Sequence, residues 1–178
     1  MSYILHLNYD FKIDTDLFQF CFKRGNERDG RVKQTVGHVE LFMPYGFEFA
    51  RPKDLLWANK VVAEVLRNHA QIILKPRVFE LAVAHGISIN RIAVRNAVSR
   101  WGSSSSLGNI NLSLWLLLLP AHLVDYIIIH ELAHQVELNH SPRFWAQVDK
   151  MLGQGPGAAK RIDQEVNDYA KNINWLQV

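Results

Sequence analysis

Four residues in the run IIIHELAHQVELNHSPRFW, positions 127–145, constrain this chain more than any others: His130, Glu131, His134 and His140. They form H-E-x-x-H followed by a third histidine. On a helix, residues four apart stack on one face, so His130 and His134 can aim two imidazoles at one metal ion. Glu131 leaves the helix at a neighbouring position, beside the metal rather than on it. His140 is too far along for the same straight helix to present it. If the helix ends near Leu138 and Asn139, the chain can turn back and offer a third ring. Ser141 and Pro142 read as an N-cap and a first-turn proline of a new helix, so a break at Asn139 is expected on independent grounds. Three protein ligands leave a fourth position for water, which separates a catalytic site from a closed structural one. A helix carrying histidines by chance would also have to account for the third histidine and the turn.

The rest of the composition narrows what such a site can be. Cys21 is the only cysteine, so no thiolate cluster can bind metal and no internal disulfide can form. Histidine and carboxylate must supply the ligands, and a reducing compartment is expected. The 178 residues, 48% hydrophobic and 21% charged, suit one globular domain with a sizeable core. The opening MSYILHLNYDFKID lacks the pattern of a signal peptide. Leu114 to Ile129, the most apolar stretch, is interrupted by Pro120, His122 and Asp125 and is too short and polar to cross a bilayer. A cytoplasmic enzyme with no membrane partner is expected. The net charge of +3 leans weakly basic. Arg24, Arg28, Arg31 and Lys33 cluster but alternate with Glu27 and Asp29, which reads as a solvated loop rather than a nucleic-acid footprint.

Residues 1 to about 50 are expected to form a twisted antiparallel sheet. Gln34 to Met43 reads as one strand, and Gly25-Asn26 with Asp29-Gly30 flank a hairpin loop. From Asp54 to His85 the period becomes helical, and Pro76 is expected to split the segment into two helices. His69 and His85 lie in this segment and are read as structural or surface histidines. Ile89 to Val98 returns to a strand pattern. Asn109 to Trp115 alternates cleanly, with Ile110, Leu112 and Leu114 on one face. The metal-binding helix is expected from Pro120 to about Leu138, with Leu123, Ile127, Ile128 and Val136 as its buried stripe. Two more helices follow, Pro142 to Leu152 and Ala158 to about Asn172.

The stretch from Arg100 to Trp145 resembles the YgjP-like family of metal-dependent hydrolases, relatives of the SprT-like proteases within the zincin metallopeptidases. The likeness rests on Arg100-Trp101-Gly102-Ser103, Gly108 to Leu112, Pro120, Asp125-Tyr126, the histidine motif, Asn139-His140-Ser141 and Phe144-Trp145, in order and spacing. It implies an α+β fold: a single zincin-like domain over 1–178, mainly β to about 50, with a metal-binding core over about 88–152. It also implies His130, His134 and His140 as metal ligands and Glu131 as the catalytic carboxylate. One departure is Ser104, where the family leads us to expect cysteine. The third-histidine spacing also resembles that of the metzincins, but Glu137 replaces their turn glycine, and Met151 is read as a core methionine.

Three imidazoles with an open position favour zinc. The expected activity is zinc-dependent amide or peptide hydrolysis with Glu131 as general base and a peptide or protein as substrate. The alternatives are a DNA-associated SprT-like protease and a non-enzymatic adaptor stabilised by metal. Asn109 to Trp115 is expected to be an exposed edge that pairs with substrate. Arg100 is a candidate for contacting a substrate carboxylate or an oxyanion, against an equal case for a salt bridge that fixes the Trp101 loop. Trp101 and Trp145 read as core anchors.

Overall fold

The computed structural model describes residues 3–173 and 175–177. The strands are β1 (Tyr3–Leu5), β2 (Lys12–Asp14), β3 (Gln19–Arg24), β4 (Arg31–Thr35), β5 (His38–Met43), β6 (Arg91–Arg95), β7 (Gly102–Ser104), β8 (Asn109–Ser113) and β9 (Trp175–Gln177). The helices are α1 (Pro52–Ala84), α2 (Ala121–Ala133), α3 (Pro142–Leu152) and α4 (Ala158–Lys171), with a 3-10 turn at Leu114–Leu118 before α2. Among the described residues the fold is mixed α+β, with three small sheets and four helices. Among the described residues no helix is long and apolar enough to cross a membrane.

The N-terminal sheet has the order β2-β3-β5-β4, and β3 pairs with β5 in parallel. It is therefore mixed rather than wholly antiparallel. The segment Gln34 to Met43 divides at a turn where Gly37 takes φ 78°, so β4 and β5 form the hairpin. The loop carrying the basic residues is a crossover from β3 to β4, not a hairpin, because those two strands do not pair. Its charges stay balanced: Arg31 faces Glu27, while Lys23 and Lys33 both approach Glu40. Alternation explains the sheet's buried face, with Phe20 and Phe22 of β3 and Val39, Leu41 and Met43 of β5 turned inward.

Helix α1 runs unbroken through Pro76. Proline removes one N–H and crowds the preceding turn. Here Pro76 lies on the exposed face, while Ala70, Leu74, Val78 and Ala82 continue a buried stripe past it at four-residue spacing. Burial along that stripe outweighs the loss of one bond on the solvent side. His69 sits inside this helix as a satisfied structural group: Gly37 N–H donates to its Nδ1 at 3.3 Å, and its Nε2 lies 3.2 Å from Gln34 Oε1. Burial lowers its pKa. His85 caps the C-terminus, followed by Gly86 in the left-handed region.

Both α1 and the second sheet pack against α2, which is buried through Leu123, Val124, Tyr126, Ile127, Ile128, Ile129 and Leu132. Arg77 of α1 clamps Asp125 of α2 with two hydrogen bonds, one of them 2.6 Å long. Asp149 of α3 accepts from the N–H groups of Gly157 and Ala159 at 2.7 Å each and caps α4, whose own N-cap is a glycine. The first tie joins α2 to α1 and the second joins α3 to α4, both of which pack against α2.

Candidate active site

Helix α2 ends at Ala133, sooner than the expected end near Leu138. His134 is its C-cap, and the N–H groups of Val136 and Glu137 both bond to the Ala133 carbonyl at 2.9 Å, tightening the last turn. Val136 is consequently exposed rather than part of the buried stripe. The chain turns back through Asn139 and enters α3 at Ser141, which accepts from Phe144 N–H as the N-cap with Pro142 behind it. This early return brings His140 to the helix. Its Nε2 lies 3.0 Å from that of His130. The candidate ligand nitrogens of His130, His134 and His140 all fall within 4.8 Å of one another.

Phe144 forms the floor of this cluster. It is fully buried, stacks on His134 at 4.5 Å, and meets His130 and His140 edge-on at 4.8 and 4.7 Å. Outer contacts fix the imidazoles from behind. His134 Nδ1 lies 3.2 Å from the Glu137 carbonyl, and His130 Nδ1 lies 3.5 Å from the Tyr126 hydroxyl, which donates to Asp163 at 2.9 Å. Both rings therefore keep Nε2 for the space between them. Burial, reinforced by the charges of His134 and His140, drops the His130 pKa to about 4, and burial lowers that of His134. Neutral imidazoles with convergent lone pairs are the form in which histidine ligates a divalent ion, so the residues present fit a metal.

Glu131 lies beside the triad and is only 7% exposed. Burial pushes its carboxyl up to about 7, against the opposing pull of the Arg100 guanidinium. Its neighbour across the cleft is Gly102 of β7. A Cβ placed there would stand 2.6 Å from Glu131 Oε1 and 2.9 Å from Cδ. Glycine leaves the room that this carboxylate occupies. Gly102, Tyr126 and Phe144 stand within the sequence motif, but nothing in the sequence alone gives them a task. Gln135 carries no sequence signal of its own, yet its amide donates to the Ser104 hydroxyl and, at 3.0 Å, to the Ser105 carbonyl. Gln135 thereby ties the end of α2 to β7, and Ser104 serves as its partner where cysteine was expected.

The second sheet has the order β6-β8-β7, which corrects the expected edge. Asn109–Ser113 is the central strand, paired in parallel with β6 and antiparallel with β7. The free edge next to the histidines belongs to Gly102–Ser104. A cleft of about 430 Å³ runs between this edge and the triad, bounded by Gly102 to Ser105 on one side and by Glu131, the three histidines and Leu138 on the other. Trp101 and Trp145 are half-buried against the core, as anchors would be, with Trp145 5.9 Å from the His140 ring.

Among solved structures, the chain is similar to the zymogen of the metallopeptidase abylysin from Pyrococcus abyssi, at 26% identity over 51% of this chain and 89% of that one, with a TM-score of 0.45. It is also similar to the zymogen of jannalysin from Methanocaldococcus jannaschii, at 22% identity over 53% and 93% of the two chains and a TM-score of 0.44. No curated protein matches it. A comparison with protein families matches residues 45–165, more than half of the chain, to the YgjP-like metallopeptidase domain. That span takes in α1 as well as the histidine cluster. The chain belongs to the YgjP-like metallopeptidase family.

Proposed function

We propose that this protein is a zinc-dependent peptidase in which His130, His134 and His140 hold the metal and Glu131 acts as general base. The family is one of metal-dependent proteases, and the observation that carries the assignment here is the meeting of three imidazoles beside one buried carboxylate. Three nitrogen donors without a fourth protein ligand are the donor set of catalytic zinc. A divalent ion held there supplies positive charge that acidifies a neighbouring water and draws electron density from a substrate carbonyl. Glu131 accepts the proton as the water attacks the carbonyl carbon, then returns it to the departing amine. The gap at Gly102 gives its carboxylate room beside the triad. A single domain over 1–178 is supported by one hydrophobic core that runs from Leu5 to Val166. The test is peptide-library hydrolysis by metal-stripped protein before and after one equivalent of zinc. Zinc-restored cleavage supports the assignment, and equal cleavage in both states contradicts it.

Substrate is proposed to lie along the outer edge of β7 as an added strand. Strand pairing on one side engages every second residue of the newcomer. Single backbone N-methylation, scanned along a cleaved peptide, is expected to depress cleavage at alternate positions near the scissile bond. A scan in which neighbouring positions respond equally would remove β7 as the docking edge.

A second expectation concerns Gly102. With a Cβ 2.6 Å from Oε1, Gly102→Ala forces the Glu131 carboxylate or the β7 backbone aside. Hydrolysis is expected to fall by about tenfold or more, because a displaced base loses its alignment with the reacting atoms, while metal content stays at the parent level. Parent-level turnover by a well-folded Gly102→Ala protein would show that Glu131 need not stand where it does.

A further inference from the structure

A second cleft, of about 360 Å³, opens on the other face of the β6-β8-β7 sheet and shares Gly102 and Ser103 with the first. Its charged lining residues are Arg95, at the end of β6, and Arg100, in the loop leading into β7. Both are exposed, and among the described residues neither forms an ion pair. Four other arginines, Arg31, Arg51, Arg67 and Arg77, each face a carboxylate. The carboxylate whose charge Arg100 feels is Glu131 in the adjoining site. Two planar guanidiniums at one cleft, with no acid among the described residues that line it, form a receptor for an oxyanion of carboxylate geometry.

The loop that carries Arg100 is held in place. Ser113 is buried, its hydroxyl donates to the Ala97 carbonyl at 2.6 Å, and its N–H donates to the Trp101 carbonyl at 2.8 Å. Trp115 Nε1 donates to Asn96 Oδ1 at 2.9 Å. Asn111 reaches the Ser103 hydroxyl at 3.3 Å across the same face. Hydrogen bonds, rather than a salt bridge from Arg100, fix the Trp101 loop, so the guanidinium is left for another partner. Side chains of an extended peptide alternate between the two faces of the sheet it joins. A peptide along β7 would thus send alternate side chains toward the histidines and toward the arginine cleft.

We propose that Arg95 and Arg100 form a specificity subsite for a substrate carboxylate, borne on an acidic side chain or at the peptide C-terminus. The proposal rests on the peptidase reading and adds to it a substrate class. Charge-assisted pairing at a fixed, partly enclosed site is expected to favour a carboxylate over its amide by about tenfold or more.

The experiment uses matched pairs of one cleaved peptide: Glu against Gln at each position flanking the scissile bond, and a free C-terminal carboxylate against the C-terminal amide. Zinc-loaded parent protein is expected to show a kcat/KM ratio of about ten or more for one pair. Which pair responds distinguishes side chain from terminus. Arg95→Gln and Arg100→Gln should each bring that ratio toward one, Arg95→Lys should keep part of it, and Arg95→Glu should shift preference toward Lys at the same position. If Arg100 acted only on the reacting oxyanion, Arg100→Gln would slow acidic and neutral peptides alike and leave the ratio intact, which overturns the proposal. A parent ratio near one for every pair also overturns it. The same pairs are measured by fluorescence anisotropy on zinc-loaded Glu131→Gln protein. Carboxylate-selective binding that Arg95→Gln and Arg100→Gln abolish, without any cleavage by parent protein, upholds the subsite and refutes the peptidase reading. Absence of selective binding and of selective cleavage together refutes the subsite.

Discussion

Glu131→Gln is expected to keep about one metal ion per chain and to lose hydrolysis by about 10²–10⁴-fold. The amide matches the carboxylate in shape, so it fills the space opposite Gly102 without disturbing α2. It cannot take a proton from water, which is the step proposed for the Glu131 side chain. Because Glu131 is buried, the substitution also removes the need to hold a charge out of water, and the variant is expected to melt no lower than the parent. Metal content by elemental analysis, a melting curve and kcat/KM on one peptide separate the three effects. A stable, metal-loaded variant that hydrolyses at the parent rate would show that another group serves as the base.

The second large effect concerns the ligands themselves. His130→Ala, His134→Ala and His140→Ala should each lose the metal at concentrations where the parent retains it, and hydrolysis should fall to background. Removing one of three donors leaves two, and the remaining rings cannot fix a tetrahedral ion between them. His69→Ala and His85→Ala are the controls. Both should keep the metal, although His69→Ala should cost about 1–3 kcal/mol of stability, because the Gly37 N–H loses its acceptor. Full occupancy in His140→Ala would remove that residue from the site, however near its ring lies to His130.

The legible parts of the site are those set by local geometry. Four-residue spacing on one helix face, a serine N-cap and a first-turn proline are short-range facts, and together they place His140 opposite His130. The centre of the fold was harder to read because strand order is a long-range property. The alternation of Asn109 to Ser113 gives its buried face correctly, with Ile110 and Leu112 inward, yet the same alternation suits an edge or a centre. Only the pairing with β6 on one side and β7 on the other decides that. Parallel pairing of β3 with β5 is hidden for the same reason. Pro76 misleads because a proline's effect depends on which way it faces, and here a buried stripe passes beneath it. Gly102 could not be assigned a task from sequence, since its importance comes from a carboxylate 29 positions away in the chain.

The most direct measurement of the central claim is X-ray absorption at the zinc edge on protein purified without added metal. Zinc is expected at one equivalent per chain, with a light-atom shell of nitrogen and oxygen at about 2.0–2.1 Å and the outer-shell scattering of three imidazole rings. That spectrum should lose one imidazole's scattering, or the metal itself, in His140→Ala. A chain that purifies without zinc and fails to take it up, or a spectrum with fewer than three imidazoles around the ion, would contradict the assignment of His130, His134 and His140 as a catalytic metal centre.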